Sequence, residues 1–249
     1  TLTPYSPLGF RSAGGDPGAL VTASGGLVRV QDEGSQLAAL ALARAQPVAD
    51  GERWLDLCAA PGGKTAVLAA EALAHGATLE ANELSPARAG LVRDSVSAVP
   101  LEVPVSEEDG RVRAGRGRYD RILVDAPCTG LGALRRRPEA RWRKQPVDVP
   151  ELAALQSELL SAALAALRPG GVVAYVTCSP HLAETAAIVA DALRTADGAV
   201  EELDARAVVA AIATDPIDLP APADGSGRAQ LWPHRHGTDA MSISLLRKR

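Results

Sequence analysis

The sequence predicts an α/β fold, a doubly wound and mostly parallel sheet with helices on both of its faces. Three observations support this prediction. Short apolar runs alternate with Ala/Leu-rich helical segments along most of the 249 residues. A tight turn of small residues at 58–63 follows one of these runs and leads into a helix. Cysteines and acidic residues stand just after several runs, where an open sheet binds its ligands.

The first 46 residues are expected to form a small appendage on a main domain at 47–249. The segment 1–18 is rich in Pro, Gly and Ser and predicts an irregular arm. Two apolar runs flank Gly25-Gly26, which predicts a β-hairpin over 19–30. An Ala/Leu helix is predicted from about Gln36 to Ala45, because Pro47 ends the helical pattern.

The main domain is predicted to alternate strands with helices. Strands are predicted at 54–57, 78–82, 101–105, 119–125 and 172–177, with a closing hairpin over 231–249 whose last strand is 241–246. Helices are predicted at 65–75, from Ser85-Pro86 onward, at 151–167 and at 183–195, with irregular segments at 126–150 and 204–230.

Composition excludes several classes of protein. The net charge of -4 argues against a uniformly basic coat, and no apolar run is long enough to span a membrane. Three cysteines without disulfide-like spacing predict free thiols in the cytoplasm. No metal site is expected, because the cysteines and the four histidines lack ligand spacing. We expect a monomer, and we expect the chain to be part of a longer protein because it begins with Thr1.

The turn at 58–63 predicts a ligand site, because small side chains and a following helix N-terminus let backbone N–H groups approach a polar ligand. A phosphate-binding loop would need a glycine where Cys58 stands, although Gly63-Lys64-Thr65 fits the end of that pattern. A nucleoside cofactor fits better, because Glu83 follows the next strand, where a ribose-binding carboxylate is found. A plain strand-to-helix connection, with Glu83 a solvated loop acid, stays open as the alternative.

The residues that follow the predicted strands should converge. They are Cys58, Glu83, Asp109, Asp125 with Cys128, and Cys178. A single cysteine is more often a small buried apolar residue than a nucleophile. Cys178 and Cys128, each beside a strand end and one of them near Asp125, together favour a catalytic thiol at Cys178.

Much of the positive charge lies in one basic segment from Arg111 to Lys144, which includes Arg116, Arg118 and Arg121. A solvated face and a contact with an RNA or DNA backbone are about equally favoured for it. Trp142 within the segment stacks on a base or, as we favour, anchors its loop.

Three motifs in order resemble those of RNA (cytosine-5)-methyltransferases of the RsmB/Nop2/Sun group. They are LDLCAAPGGKT at 55–65, DAPCTG at 125–130 and TCS at 177–179. DGR at 109–111 and RRRPE at 135–139 are also similar to that family, and PELAALQ at 150–156 resembles its bacterial 16S ribosomal RNA enzymes. The resemblance implies a Rossmann-like, seven-stranded class I methyltransferase sheet.

The resemblance also implies a cofactor, a reaction and a partner. S-adenosylmethionine would lie against Cys58, Ala59, Ala60, Pro61, Gly62, Gly63 and Lys64, with Glu83 on its ribose, Asp109 near its adenine and Asp125 bordering cofactor and base. Cys178 would attack C6 of a cytosine in RNA, Cys128 would help to release the product, and Asp125 would bind N3 and N4 of the base. The family's usual N-terminal RNA-binding module is absent from this sequence.

Several alternatives remain open at this stage. The RNA is expected to be 16S ribosomal RNA, with transfer RNA as the alternative. Lys64 positions groups or lowers the pKa of a thiol, or else reaches backbone carbonyls as an ordinary loop lysine. A phosphate-loop nucleotidase and a catalytically idle RNA-binding or assembly factor are the interpretations from other classes.

Overall fold

A computed structural model describes residues 1–115 and 119–249. The strands are β1 Arg53–Asp56, β2 Thr78–Asn82, β3 Val105–Ser106, β4 Tyr119–Asp125, β5 Leu167–Thr177, β6 Val200–Leu203, β7 Ala229–Gln230 and β8 Ser242–Lys248. Within those ranges the α-helices are α1 Pro17–Ala23, α2 Glu33–Ala43, α3 Gly63–Ala74, α4 Pro86–Val96, α5 Gly110–Ala114, α6 Ala140–Arg143, α7 Asp148–Ala166, α8 Ala186–Thr195, α9 Ala205–Ile212 and α10 Pro233–His236.

The eight strands form one mostly parallel sheet, which confirms the predicted fold class. Seven strands follow the order β3-β2-β1-β4-β5-β8-β6, and β7 pairs with β8 outside that path. The pairs from β3 through β5 are all parallel, whereas β8 runs antiparallel to β5, β6 and β7. The parallel strands therefore end at a common edge of the sheet.

Helices cover both faces of the sheet, because the side chains of a strand alternate between its faces. Trp54 and Leu123 pack on one face with α2, α3 and α9. Leu55 and Ile122 pack on the other face with α7 and α8. The central strands are buried on both faces, and this explains the apolar runs at 122–124 of β4 and 172–176 of β5.

The predicted hairpin at 19–30 is wrong. The segment forms α1, which Asp16 caps by accepting a hydrogen bond from the N–H of Gly18, with Pro17 at the first helical position. Gly25 and Gly26 both have positive φ and follow the end of the helix. They therefore mark the exit from a helix, where the sequence analysis interpreted them as a hairpin turn.

The third strand and the C-terminal region also differ from the predictions. The strand expected at 101–105 overlaps the two-residue β3 only at Val105, so residues 101–104 were wrongly predicted as a strand. The segment 204–230, expected to be irregular, contains α9, whose cap Asp204 accepts hydrogen bonds from Arg206 and Ala207. The strand β6 was not predicted. The division of the chain at 46/47 stays a prediction, and Arg116 and Arg118 of the basic segment lie outside the described residues.

None of the helices in the described ranges has both the length and the apolar character needed to cross a membrane.

Arg121 belongs to the basic segment, for which a solvated face and a nucleic-acid contact were about equally favoured. Neither interpretation holds for Arg121, because its side chain is completely buried on β4. Its Nε donates to Glu52 Oε2 over 2.7 Å, and its guanidinium lies 5.3 Å from the ring centre of Trp54. Further N–H groups donate to the carbonyls of Leu42 and Pro47, at the end of α2 and just after it. The pair therefore joins α2 to the strands at the amino edge of the sheet.

Burial by itself would raise the pKa of Glu52. Hydrogen bonds from Arg121, Ala49 and Trp54 outweigh burial and hold the pKa below its usual range. A carboxylate whose pKa is lowered on folding stabilises the protein above the pKa of the unfolded state. That contribution is lost as the pH falls through the lower pKa of the folded state.

Replacing Arg121 by Leu should lower the free energy of unfolding by about 3–5 kcal/mol, because Glu52 would stay buried without its charged partner. Denaturation in urea measures this loss. The loss should shrink in acid as the pH falls through the lowered pKa of Glu52 in the wild-type fold, because Glu52 is then protonated in both proteins. As a control, Arg194→Ala removes a guanidinium that is 75% exposed beside Asp191 and should cost less than about 1 kcal/mol. Equal losses of unfolding free energy in the two variants would contradict the structural role assigned to the Arg121–Glu52 pair.

Candidate functional site

The carboxyl edge of the parallel strands gathers most of the residues that the sequence analysis selected. β1, β4 and β5 end at Asp56, Asp125 and Thr177, and the segments that follow carry the cysteines. The predicted convergence is visible in two direct contacts. Lys64 binds Asp125, and the sulfur atoms of Cys128 and Cys178 touch.

The small-residue turn is held closely against its neighbours. Gly62 adopts φ 102°, and a Cβ there would lie 2.5 Å from Cβ of Ser95, so both conformation and space require glycine. Gly62 is also the N-cap of α3 and provides no side-chain cap. Ala59 donates its N–H to the carbonyl of Asn82 over 2.9 Å. The turn therefore presents an uncapped helix N-terminus beside the ends of β1 and β2.

Asp56 is a site residue that the sequence analysis missed. Its Oδ2 accepts a hydrogen bond from the Thr65 hydroxyl over 2.7 Å, while Oδ1 is buried without a hydrogen-bond partner among the residues described. Burial raises the pKa of Asp56 to about 7. The signal was an acid as the last residue of a buried strand, directly before the turn.

Glu83 and Asp109 occupy different surroundings at this edge. Glu83 is 5% exposed, accepts the Ser85 N–H over 3.0 Å and lies 3.5 Å from the guanidinium of Arg88. Asp109 caps α5 by accepting the N–H of Arg111, and the Arg111 side chain holds the pKa of Asp109 below its usual range. The roles expected for the two carboxylates toward ribose and adenine stay predictions.

Lys64 and Asp125 form a largely buried ion pair. Lys64 Nζ lies 2.7 Å from Asp125 Oδ2 and 3.3 Å from the hydroxyl of Ser35. Burial lowers the pKa of Lys64, but the adjacent carboxylate of Asp125 outweighs burial and raises it. Lys64 therefore binds side-chain groups of the site, whereas the ordinary-loop interpretation expected it to bind backbone carbonyls.

The sulfur atoms of Cys128 and Cys178 are 3.5 Å apart. Either thiol can donate while both are protonated, but once Cys178 is ionised only Cys128 can donate. This contact lowers the pKa of Cys178 despite burial, with Lys64 acting in the same direction. The same contact, together with burial, raises the pKa of Cys128 well above its usual value. The contact therefore displaces the pKa values of the two thiols in opposite directions. Cys58 differs, because burial and then Asp56 raise its pKa.

Gly132 is a second residue that the sequence analysis missed. Its N–H donates to the carbonyl of Cys178 and its carbonyl accepts from Ala240, both over 2.9 Å. A Cβ on Gly132 would lie 2.2 Å from the carbonyl oxygen of Ala240. The backbone of the thiol loop can pass this close to the C-terminal segment only because residue 132 has no side chain.

The basic segment is divided between arginines in ion pairs and exposed residues outside the described ion pairs. Arg135 donates to Asp32 over 2.9 Å, and Arg136 binds Asp239 through two of its nitrogens. Arg111 binds Asp109 and Glu158, and Arg113 binds Glu80. The exposed members of the second group are Arg137, Arg141 and Arg143, with Lys144 half-buried.

Trp142 lies on α6 among these exposed arginines, and its side chain is 79% exposed. The expectation that it anchors its loop is therefore wrong. In the described part of the chain, no group of three or more His, Cys, Asp or Glu side chains is placed to hold a metal ion.

Comparison with known proteins places the chain in a family context. Residues 43–247 match the family model described as 16S rRNA methyltransferase RsmB/F. The chain is 54% identical over its whole length to a putative methyltransferase of Mycobacterium tuberculosis, of which it covers 52%. It is 40% identical to a ribosomal RNA small subunit methyltransferase B of Serratia proteamaculans, over 72% of this chain and 41% of that one. The chain thus spans about half the length of these curated relatives.

Solved structures agree with the family match. The protein PH0851 superposes with a TM-score of 0.75 at 31% identity, over 88% of this chain and 47% of that one. NSun6 from Pyrococcus horikoshii, solved with SFG, superposes with a TM-score of 0.72 at 25% identity, over 88% and 52%.

Replacing Cys128 by Ala should raise the pH at which Cys178 is alkylated by about one unit, because the Cys178 thiolate would lose the S–H group that donates to it. Iodoacetamide labelling over a pH series, read for each peptide by mass spectrometry, measures this midpoint. Cys58→Ala is the matched control and should leave the Cys178 midpoint unchanged. A midpoint that does not move in Cys128→Ala would show that the contact between the thiols does not set the pKa.

Proposed function

Since the chain belongs to the RsmB/F family of 16S rRNA methyltransferases, we propose that it transfers a methyl group from S-adenosylmethionine to C5 of a cytosine in RNA, through a covalent bond between Cys178 and C6. The single observation that carries this proposal is the thiol pair. Cys178 has a lowered pKa, and the protonated thiol of Cys128 lies 3.5 Å from it. The relatives named for ribosomal RNA support 16S ribosomal RNA as the substrate.

Cys178 supplies the nucleophile. C5 of cytosine is a poor nucleophile because the ring is aromatic and electron-poor, and addition of a thiolate to C6 turns C5 into the carbon of an enamine. The lowered pKa increases the fraction of Cys178 that is ionised and ready to attack. Asp125, beside the thiols, would accept a hydrogen bond from the N4 amino group and hold the base in register.

Cys128 serves the last step. After methylation the C5 proton is lost to solvent, the C5–C6 double bond reforms, and the electrons of the C6–S bond return to Cys178. The S–H of Cys128 stabilises the departing thiolate through the contact that lowers the Cys178 pKa. One hydrogen bond thus assists both the nucleophile and the leaving group, which are the same sulfur atom.

The residues at the sheet edge fit S-adenosylmethionine. The Oδ1 atom of Asp56, which lacks a partner among the described residues, and the buried carboxylate of Glu83 offer acceptors for hydroxyl and ammonium groups. The uncapped start of α3 offers N–H donors. When bound, S-adenosylmethionine supplies an electrophilic methyl group. The NSun6 structure with SFG, an analogue of this cofactor, supports the same assignment.

The acidic surroundings also argue against the phosphate-binding alternative. Asp56, Glu83 and Asp125 carry or can carry negative charge around the turn, and this arrangement repels a triphosphate. The thiol pair argues against an idle RNA-binding factor. RNA binding alone does not require two cysteines in contact, nor does it require pKa values that are displaced in opposite directions.

The exposed part of the basic segment is the proposed RNA contact. Arg137, Arg141 and Arg143 are exposed around Trp142, whose ring is free to stack on a base. The target cytosine must leave any helix, or lie in a single-stranded loop, to reach the thiols.

Cys178→Ala should reduce methyl transfer by at least about 10³-fold, because no other group adds to C6. The measurement is transfer of tritiated methyl from S-adenosylmethionine to unmodified small-subunit ribosomal RNA. Cys128→Ala should instead accumulate a covalent RNA adduct that survives a denaturing gel, because release is impaired.

Calorimetric binding of S-adenosylhomocysteine to Cys178→Ala is the control for folding, and ATP with magnesium should not bind. Wild-type protein that transfers no methyl group to either ribosomal or transfer RNA would overturn the proposal.

Alanine at Arg137, Arg141 or Arg143 should weaken RNA binding and reduce the slope of log affinity against log salt concentration by about one for each phosphate that the variant no longer neutralises. Filter binding over a salt series measures both quantities. Arg194→Ala, on α8 outside the basic segment, is the control and should leave the slope unchanged. An unchanged slope in all three variants would exclude this face.

A further inference from the structure

We propose that Glu184 is a positioning residue that holds the two cysteine-bearing loops together and so sets the distance between the reacting thiols. The effect of Glu184 on catalysis rests on the function proposed above. The residue touches neither sulfur atom in the structure. Its partners are the residues that directly follow the two cysteines.

The carboxylate of Glu184 is fully buried and accepts four hydrogen bonds. Oε2 accepts from the hydroxyl of Thr129 over 2.5 Å and from the hydroxyl of Ser179 over 2.6 Å. Oε1 accepts from the N–H of Thr129 over 2.8 Å and from the side chain of Gln156 over 3.2 Å. The four donors satisfy the charge of a carboxylate that water does not reach.

These partners connect Glu184 to both thiols through one residue each. Thr129 follows Cys128, and Ser179 follows Cys178. The two hydroxyl oxygens also lie 3.2 Å from each other. Glu184 therefore holds the two loops at a point one residue beyond each sulfur, 50 residues apart in the chain.

Further hydrogen bonds fix the residues around Glu184 to α7 and β5. Gln156 also donates to the carbonyl of Pro127 over 2.8 Å, which ties the Cys128 loop to α7. Tyr175 donates its hydroxyl proton to the backbone carbonyl of Glu184 over 2.8 Å, and the same hydroxyl lies 3.2 Å from the amide oxygen of Gln156. The carboxylate is thus fixed to α7 and β5, so it acts as a fixed point for both loops.

Burial alone raises the pKa of Glu184, but hydrogen bonds from Ser179, Thr129 and Gln156 lower it below its usual range. The side chain is therefore an anion at neutral pH and accepts all four bonds at once. A protonated acid or an amide in its place has to donate at one of its two heteroatoms and cannot satisfy the same four donors.

Other groups also act on the Cys178 sulfur. Cys128 and Lys64 lower its pKa, Asp125 and Asp239 raise it, and Arg136 faces it from the loop that follows the short 3-10 helix at 131–133. None of these five groups accepts or donates a hydrogen bond to the Glu184 side chain in the described contacts. A change at Glu184 leaves these five groups in place. Losing the negative charge of Glu184 would by itself favour the Cys178 thiolate, so a rise in the Cys178 midpoint reports a change in loop position.

Glu184→Gln tests the inference. The amide keeps the shape of the side chain but replaces one accepting oxygen by a donor, so two of the four hydrogen bonds are lost or, where the partner is a hydroxyl, have to reverse their direction. The midpoint pH for alkylation of Cys178 by iodoacetamide should rise by about one unit, equivalent to about tenfold slower labelling at neutral pH. Ser179→Ala and Thr129→Val, which each remove one hydroxyl donor and are milder changes, should shift the midpoint in the same direction by less.

Two controls separate positioning from a general loss of stability. Glu52→Gln also removes a buried, multiply bonded carboxylate, but at the amino edge of the sheet, and should destabilise the fold without moving the Cys178 midpoint. Adding Ser179→Ala to Glu184→Gln should shift the midpoint no further than Glu184→Gln alone, because both act through one hydrogen bond.

Alkylation requires neither RNA nor cofactor, so the two proposals fail separately. A shifted midpoint in a protein that transfers no methyl group would retain the role of Glu184 and reject the proposed function. An active enzyme in which Glu184→Gln and Ser179→Ala both leave the midpoint unchanged would overturn the role of Glu184 and leave the function standing.

Discussion

The parallel pairing of the central strands is the constraint on which the site depends. Strands β1, β2, β4 and β5 run in the same direction, so their carboxyl ends share an edge and the residues that follow them must meet there. Cys128 and Cys178 are 50 residues apart in the chain and still have sulfur atoms in contact. No local motif could place them so. The same pairing sends Glu52 and Arg121 to the opposite edge, where their buried charges stabilise the fold away from the thiols.

Charge is distributed differently at the two edges. At the amino edge, Arg121 and Glu52 are matched and saturated with hydrogen bonds, which suits a structural pair. At the carboxyl edge, Asp56 has a raised pKa and a buried oxygen without a partner among the described residues, and the two cysteines have pKa values displaced in opposite directions. Unmatched groups of this kind cost stability and are typical of functional sites.

The sequence was sufficient for the elements whose signal is local and strong. The strands at 78–82 and 119–125 lie where they were predicted. In the first, Leu79 and Ala81 alternate with polar residues, and in the second Ile122, Leu123 and Val124 form an apolar run. The hairpin at 19–30 failed because glycines follow helices as readily as they form turns. The burial of Arg121 was not predicted, because an arginine in a strand is buried only when an acid lies beside it in the fold. Here that acid is Glu52, which is distant in the chain. Glu184 could not be found by sequence reasoning, since its function lies in partners from two other loops.

Ion pairs with acidic residues occupy much of the basic segment. Arg135 and Arg136 neutralise Asp32 and Asp239, two carboxylates that are buried side by side, and the charge of Asp239 makes Asp32 harder to ionise. Releasing either arginine to a phosphate would leave a buried charge without a partner, which costs more than a surface contact returns. Arg137, Arg141 and Arg143 take no part in the described ion pairs, and they surround the exposed ring of Trp142. The division follows from the acids: arginines beside the buried carboxylates are held in ion pairs, and the arginines that take no part in the described ion pairs are the ones that the proposed RNA contact uses.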